Sequence, residues 1–323
     1  MPPLDRPAAG FPKHLEEDSK AAVIDAFDAS TVTAPEVVAS LIKNGGCVVR
    51  GVLNSDQLSL IEKDVRPWIE KDRPWKGDFF PPETRRVMGL VEKSKPFTDL
   101  IPGNRLYRDV CDTLLTSTHE NWHGQTLETR VSHPQLNNTI VFSIGPDARR
   151  QELHRDDMMF HNELTSLASH EDYKIGRDTN VGFFVAGKKT TKANGATRFI
   201  PRSHLWAKTT PPNEDLTYYA ELDPGDGFLM LASCFHGGSA NTTTDEERLV
   251  LSCFMTKGFL RQVFPYPITQ NDSDMYLTVK RYPVDMQKMF GYNISSPFGG
   301  WVDLKDPRAL LLEPGEDIEG DLH

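Results

Sequence analysis

Residues 225–258, "GDGFLMLASCFHGGSANTTTDEERLVLSCFMTKG", decide the fold class. Two β-rich runs, "GDGFLMLAS" and "RLVLSCFMTKG", flank a histidine, a glycine pair and a turn rich in Thr, Asp and Glu. Apolar, β-branched and aromatic residues bounded by Gly, Asn and Asp are the signature of strands. Going outward from this stretch, "NNTIVFSIG", "NVGFFVAGK" and "GATRFIPRSH" repeat the pattern from about residue 137. Short strands of similar length separated by turns argue for a mainly β protein with a barrel or jelly-roll core. Upstream, "TAPEVVASLIKNGG" predicts a helix with Thr33 as N-cap, Pro35 and Glu36 in its first turn and Gly45-Gly46 as its stop. "CVVRGVL" reads as a strand and "NSDQLSLIEKDVRPWIEK" as a helix capped by Asn54 or Ser55, and a third helical region falls within residues 104–121. Because helices precede most strands, parallel βαβ winding is disfavoured.

Residues 1–30 mix Pro, Ala and charge without a period and predict an N-terminal arm ordered by docking. Residues 31–323 are expected to form one domain, with a helical part over 31–125, a β core over about 126–260 and a C-terminal extension over 261–323. Residues 205–222 exceed a simple turn and suggest a lid. The aromatic tail "MFGYNISSPFGGW" suggests either a cover over the barrel mouth or a subunit contact in a homodimer.

A formal charge of −10, from 36 Lys+Arg against 46 Asp+Glu with no basic run, argues against a nucleic-acid partner. With neither a bilayer-length apolar stretch nor a secretory h-region, a cytoplasmic protein without a membrane partner is expected. Cys47, Cys111, Cys234 and Cys253 lack C-x-x-C spacing and read as buried free thiols. Without an export signal, the sequons at Asn137, Asn241 and Asn293 read as chance matches.

"QELHRDDMMFHN", residues 151–162, contains the H-R-D that opens a protein kinase catalytic loop. That loop needs Asn at the fifth position after Asp, where this chain has His161, and no D-F-G or glycine-rich loop accompanies it. A metal site is the better reading. In a strand, His154 and Asp156 share one face while Arg155 faces outward. The rival carboxylate Asp157 has the opposite parity. A second histidine would complete the 2-His-1-carboxylate face of non-haem iron oxygenases, and His236, beside Gly237-Gly238, is the candidate. After the turn, Arg248 opens the next strand, where a buried guanidinium would require an anion such as a carboxylate. Its plain alternative is surface pairing with Asp245, Glu246 or Glu247. His119, His123, His133, His161 and His170 share no second spacing, and His204 reads as structural. Met158 and Phe160 continue the parity of His154, so they line a substrate pocket or pack the core.

Through "GCVVRGVL", "QELHRDD", "NGATRFIPRSH" and "HGGSANTTTDEER", the chain resembles the phytanoyl-CoA dioxygenase-like family of Fe(II)/2-oxoglutarate oxygenases, in its fungal natural-product branch. The resemblance implies a double-stranded β-helix (jelly-roll, cupin-like) core and a single oxygenase domain. It implies Fe(2+) on His154, Asp156 and His236, with Arg248 on the distal carboxylate of 2-oxoglutarate. Gln151 and Thr197 would also touch that cosubstrate. The family's I-P-G-S-H turn appears here with Arg202 in the glycine position. The implied reaction consumes O2, converts 2-oxoglutarate to succinate and carbon dioxide, and oxidises a C–H bond of a mostly apolar secondary metabolite. The outcome would be hydroxylation, desaturation, epoxidation or rearrangement. The rivals are a redox-neutral zinc enzyme on a cupin-like barrel, which gives Arg248 no purpose, and a non-catalytic partner subunit.

Overall fold

The computed structural model describes residues 11–73, 81–262, 273–297, 299–302 and 305–312 of the chain. Its strands are β1 (Ala26–Asp28), β2 (Gly46–Arg50), β3 (Thr84–Met88), β4 (Ser117–His123), β5 (Thr126–Ser132), β6 (Gln135–Ile144), β7 (Asn180–Ala186), β8 (Thr197–Phe199), β9 (Tyr218–Ala220), β10 (Gly227–Leu231), β11 (His236–Gly238) and β12 (Arg248–Thr256). A seven-stranded sheet runs β1-β2-β10-β7-β12-β6-β3, and a three-stranded sheet runs β11-β8-β9. Apart from the parallel β1/β2 pair, these ladders are antiparallel. The fold is a mainly β jelly roll with flanking helices, as expected.

Helices cover the outside of the large sheet because one stripe of each is apolar. In Ala34–Asn44 the stripe includes Val37, Val38 and Leu41, all buried. The Thr33 N–H and hydroxyl donate to the Glu36 carboxylate at 2.8 and 2.7 Å, and Gly45 ends the helix at φ +82°. Any side chain there would meet Cys234 Sγ and His204 Nδ1 at 2.3 and 2.7 Å. Asn54 Oδ1 caps Ser55–Lys71 by accepting the Gln57 N–H at 2.9 Å.

The helix Arg105–Leu115 repairs a defect in the large sheet. The β12/β6 register slips between Phe254 and Met255, which takes backbone groups out of the ladder. The buried Tyr107 hydroxyl accepts the Met255 N–H at 3.1 Å and shares its proton between the carbonyls of Val181, at 2.8 Å, and Cys253, at 3.1 Å.

Several expectations need correction. The helical region within 104–121 ends at Leu115, and residues 117–132 form the hairpin β4/β5. Its sequence gives little strand signal because both faces are largely exposed, Trp122 and Leu127 included. Residues 205–222 are not a lid. They supply a 3-10 turn, Glu214–Leu216, and β9, which pairs with β8, and none of them lines the cavity described below. In the aromatic tail, Met289, Phe290 and Tyr292 are core residues, Trp301 is exposed and Phe298 lies outside the described residues. The tail therefore packs inward rather than covering the mouth. Residues 1–10 of the arm are also outside the described residues, and Lys13–Lys20 is a helix.

That helix docks on the turn containing Arg202. Ser19 Oγ donates to the Pro201 carbonyl at 3.0 Å, Arg202 pairs with Asp18, and Phe11 meets Trp206 edge-on. Arg202 sits at φ +62°, where glycine is at ease and an L side chain is strained. The side chain that glycine lacks is the one that holds the arm.

All four cysteines are free and buried. Asn137 and Asn241, at 2% and 1% exposure, are out of reach of a glycosyl donor. No helix among the described residues is long and apolar enough to cross a membrane.

Candidate metal and cosubstrate site

β11 brings His236 beside His154 through an isolated antiparallel bridge, with the His154 N–H on the His236 carbonyl at 3.0 Å and the reverse bond at 2.9 Å. Gly237 permits this crossing, since a Cβ there would meet the Gln151 and Glu152 carbonyls at 2.9 and 3.1 Å. Past the bridge the chain is no longer a strand, because Asp156–Phe160 forms a 3-10 turn. The Asp156 N–H is held by the Ala232 carbonyl at 3.0 Å. The face shared by His154 and Asp156 therefore comes from a bridge followed by a turn, not from strand alternation.

Each imidazole is oriented through Nδ1. His154 Nδ1 lies 2.9 Å from the Glu152 carbonyl and His236 Nδ1 lies 3.1 Å from the Cys234 carbonyl. A carbonyl only accepts, so each Nδ1 donates to it, which leaves the two Nε2 atoms as the ring atoms turned toward a metal. Those atoms lie 3.4 and 3.5 Å from the two Asp156 carboxylate oxygens. Ligand atoms at right angles around an ion with bonds of about 2.1 Å are roughly 3 Å apart. The donor set fits a divalent first-row metal after a small contraction. His154, Asp156 and His236 are the group of three metal-ligating types found together among the described residues. Burial disfavours charge on Asp156 and His236 alike, but their pairing prevails. It holds the Asp156 carboxyl below the usual carboxylate range and raises His236 above the usual imidazole range.

Asp157 is buried and turned away, accepting from Asn162 Nδ2 at 2.9 Å, and burial pushes it up to about 6. Arg155, expected to face outward, is instead 6% exposed. It stacks over Phe235 at 4.1 Å and donates to the Ser203 carbonyl at 2.8 Å, within a small second core. His204 is fully buried, with Nε2 2.9 Å from the Ile42 carbonyl, and burial lowers it to about 4.

The three ligand-type residues open onto a cavity of about 410 Å³ between the two sheets. Arg248, Thr197 and Gln151 line it as well, and the Arg248 Nη2 donates to Thr197 Oγ1 at 2.6 Å. Arg248 is 4% exposed, its Nε has no partner among the described residues, and burial pulls it down to about 10. The neighbouring acids that could have claimed it are engaged elsewhere. Glu246 accepts from Asn194, and Glu247 accepts from Arg66 and Lys188.

Of the two residues expected to line a substrate pocket, Met158 lines this cavity and Phe160 does not, while Met159 does. In a 3-10 turn residues three apart share a side, so Met159 joins Asp156 and strand parity misassigned Phe160. Phe184, Phe254 and Ser239 also line the cavity and were missed. Phe254 was within reach of sequence reasoning because it has the parity of Arg248 on β12. For Ser239, in the strand-end segment after β11, no sequence signal was available.

The family model for phytanoyl-CoA dioxygenase (PhyH) matches residues 41–250. The chain belongs to the phytanoyl-CoA dioxygenase family. Among its relatives, the dioxygenase himG of Aspergillus japonicus is 41% identical, with 91% of this chain and 92% of that protein covered. The dioxygenase peniF of Penicillium patulum is 42% identical over 90% and 93%. Its fold is shared with two structures from nogalamycin biosynthesis. These are the non-haem α-ketoglutarate-dependent carbocyclase SnoK (13% identity, TM-score 0.51, 73% of this chain and 89% of that one) and the epimerase SnoN (18%, 0.50, 70% and 83%). Family membership makes this chain a non-haem iron, 2-oxoglutarate-dependent dioxygenase.

Proposed function

We propose that His154, Asp156 and His236 hold Fe(II) and that Arg248 binds the distal carboxylate of 2-oxoglutarate, with Thr197 and Gln151 beside it. The substrate is a mostly apolar small metabolite that enters past Met158. With O2, bound iron and 2-oxoglutarate supply the oxidising power for a C–H bond. The protein's residues orient and protect. Glu152 and Cys234 carbonyls aim the two imidazoles, Thr197 steadies the guanidinium, and the surrounding apolar wall of Phe184, Phe254 and Ile140 limits water.

The observation that carries this reading is Arg248, a buried guanidinium that lines the cavity of the triad and whose Nε has no partner among the described residues. A carboxylate supplies what it lacks. A redox-neutral zinc enzyme would leave that charge uncompensated. Anaerobic addition of Fe(II) and 2-oxoglutarate should give the weak visible charge-transfer band of a chelated keto acid. Turnover should release succinate. No band, with Fe(II) bound, would overturn the assignment. A homodimer with exposed Trp301 at its contact and a cytoplasmic location complete the reading, and sedimentation of Trp301→Ala checks the former.

A further inference from the structure

Unpartnered polar atoms in the cavity wall fall at two separate places. Arg248 Nε and Ser239 Oγ mark the pole assigned above to 2-oxoglutarate. The other is Asn180, the first residue of β7, which is fully buried, lines the cavity and leaves both Oδ1 and Nδ2 without a partner among the described residues. Its carbonyl is satisfied, accepting the Ala232 N–H at 3.1 Å. The Ala232 carbonyl in turn holds the Asp156 N–H, so the backbones of Asn180 and Asp156 are joined through Ala232.

The register separates the poles. Asn180 faces Thr256 on β12, eight positions beyond Arg248. The distal carboxylate at Arg248 is therefore not the partner of Asn180. A carboxamide with neither group bonded is costly to bury, and such groups in native interiors meet a partner. The walls nearby are apolar, with Phe254 and Phe184 in T-shaped contact at 5.4 Å. Asn138 is partly engaged, its Oδ1 accepting the Thr139 N–H at 2.8 Å.

We infer that Asn180 reads the substrate, and that the substrate presents a cis-amide edge, as a lactam does, on an otherwise apolar body. This rests on the cavity being the substrate cavity of the function proposed above. A carboxamide offers an acceptor and a donor side by side, and its full complement is a donor and an acceptor on one edge, the logic by which Asn pairs with adenine. A lactam has its N–H and C=O on the same edge. A trans amide has them on opposite edges, and a lactone or ketone has only the acceptor.

Three small probes of one shape test this: 2-quinolone, N-methyl-2-quinolone and coumarin. Their dissociation constants are measured by titration calorimetry on the full-length protein as isolated and again under anaerobic Fe(II) and 2-oxoglutarate. The wild type should bind 2-quinolone at least about tenfold more tightly than the other two, the size of one net hydrogen bond or more. Asn180→Leu should erase that preference, keep the charge-transfer band and melt no lower than the wild type. Equal binding of all three by the wild type, or no binding of 2-quinolone at its solubility limit, overturns the inference without needing a folded variant. So does a preference that survives in Asn180→Leu. Loss of the band in Asn180→Leu, together with a lower melting temperature, would mean that Asn180 steadies Asp156 instead, and also overturns it. A wild type that lacks the band but ranks the probes as stated would refute the iron and cosubstrate reading alone.

Discussion

At the half-buried edge of the barrel, Glu247 accepts from Ser143, Lys188 and Arg66 at 2.5, 2.6 and 2.7 Å, whereas Arg248, the next residue, turns into the cavity and has one hydroxyl. Burial works against both charges. Its partners hold Glu247 down to about 2, while Arg248, with no such help, falls to about 10. The contrast separates two uses of charge. Groups whose partners are all in the chain stabilise the fold, and a group that lacks a partner inside a cavity is set for a ligand.

The sharpest way to break that comparison is at the triad. Asp156→Ala or His236→Ala should lower succinate release by roughly a thousandfold or more with the circular dichroism of the fold retained, given the several kcal/mol that a metal supplies. Full activity in either variant would refute the ligand assignment. Arg248→Met comes next. It should raise the 2-oxoglutarate KM by roughly 30- to 1,000-fold, the cost of removing one side of a buried ion pair, while the melting temperature stays level or rises because a desolvated charge is gone.

Glu247→Gln should do the reverse, costing about 1–2 kcal/mol in denaturant unfolding and leaving that KM unchanged. If both variants behaved alike, the distinction would fail. Glu247 is an acid with a depressed folded pKa, so its contribution is present above the unfolded value near 4.5 and is lost as pH falls toward about 2.

His204 gives a pH effect of its own. Its folded pKa of about 4 lies below the ordinary 6.5, so the unfolded chain takes up the proton first and stability is lost as pH falls between those values, by up to about 3 kcal/mol. Asp157, raised to about 6, opposes it in part of that window. The difference between wild type and His204→Gln, followed by urea unfolding from pH 7 to 4, isolates the histidine. A slope unchanged by the substitution would mean that His204 is not buried as a neutral group.

Arg202→Gly should change stability least. It relieves about 1 kcal/mol of backbone strain but releases Asp18. The melting temperature should shift by no more than a few degrees, while limited proteolysis should cut the N-terminal helix sooner.

Much of this was legible beforehand because it depends on local rules. Thr33, Asn54 and Gly45 announce helix ends through capping groups a few residues away, and β6, β7, β10 and β12 announce themselves by composition. His154, Asp156, His236 and Arg248 could be singled out by residue type and order. The 3-10 turn at Asp156–Phe160 could not, and so the parity argument placed Phe160 in the cavity and Arg155 outside the core. The hairpin β4/β5 was hidden because two exposed faces leave no hydrophobic alternation to read.

By itself the sequence determined the strand composition, the helix caps and the identity of the groups able to bind a metal and an anion, since each is a property of neighbouring residues. Only the tertiary structure decided that His236 bridges to His154, that Glu247 is compensated while Arg248 is not, and that Asn180 lines the cavity with neither amide atom bonded among the described residues. Those outcomes depend on which strands pair and in what register. Pairings between residues far apart in the chain are set by the packing of the whole core, which no short stretch encodes.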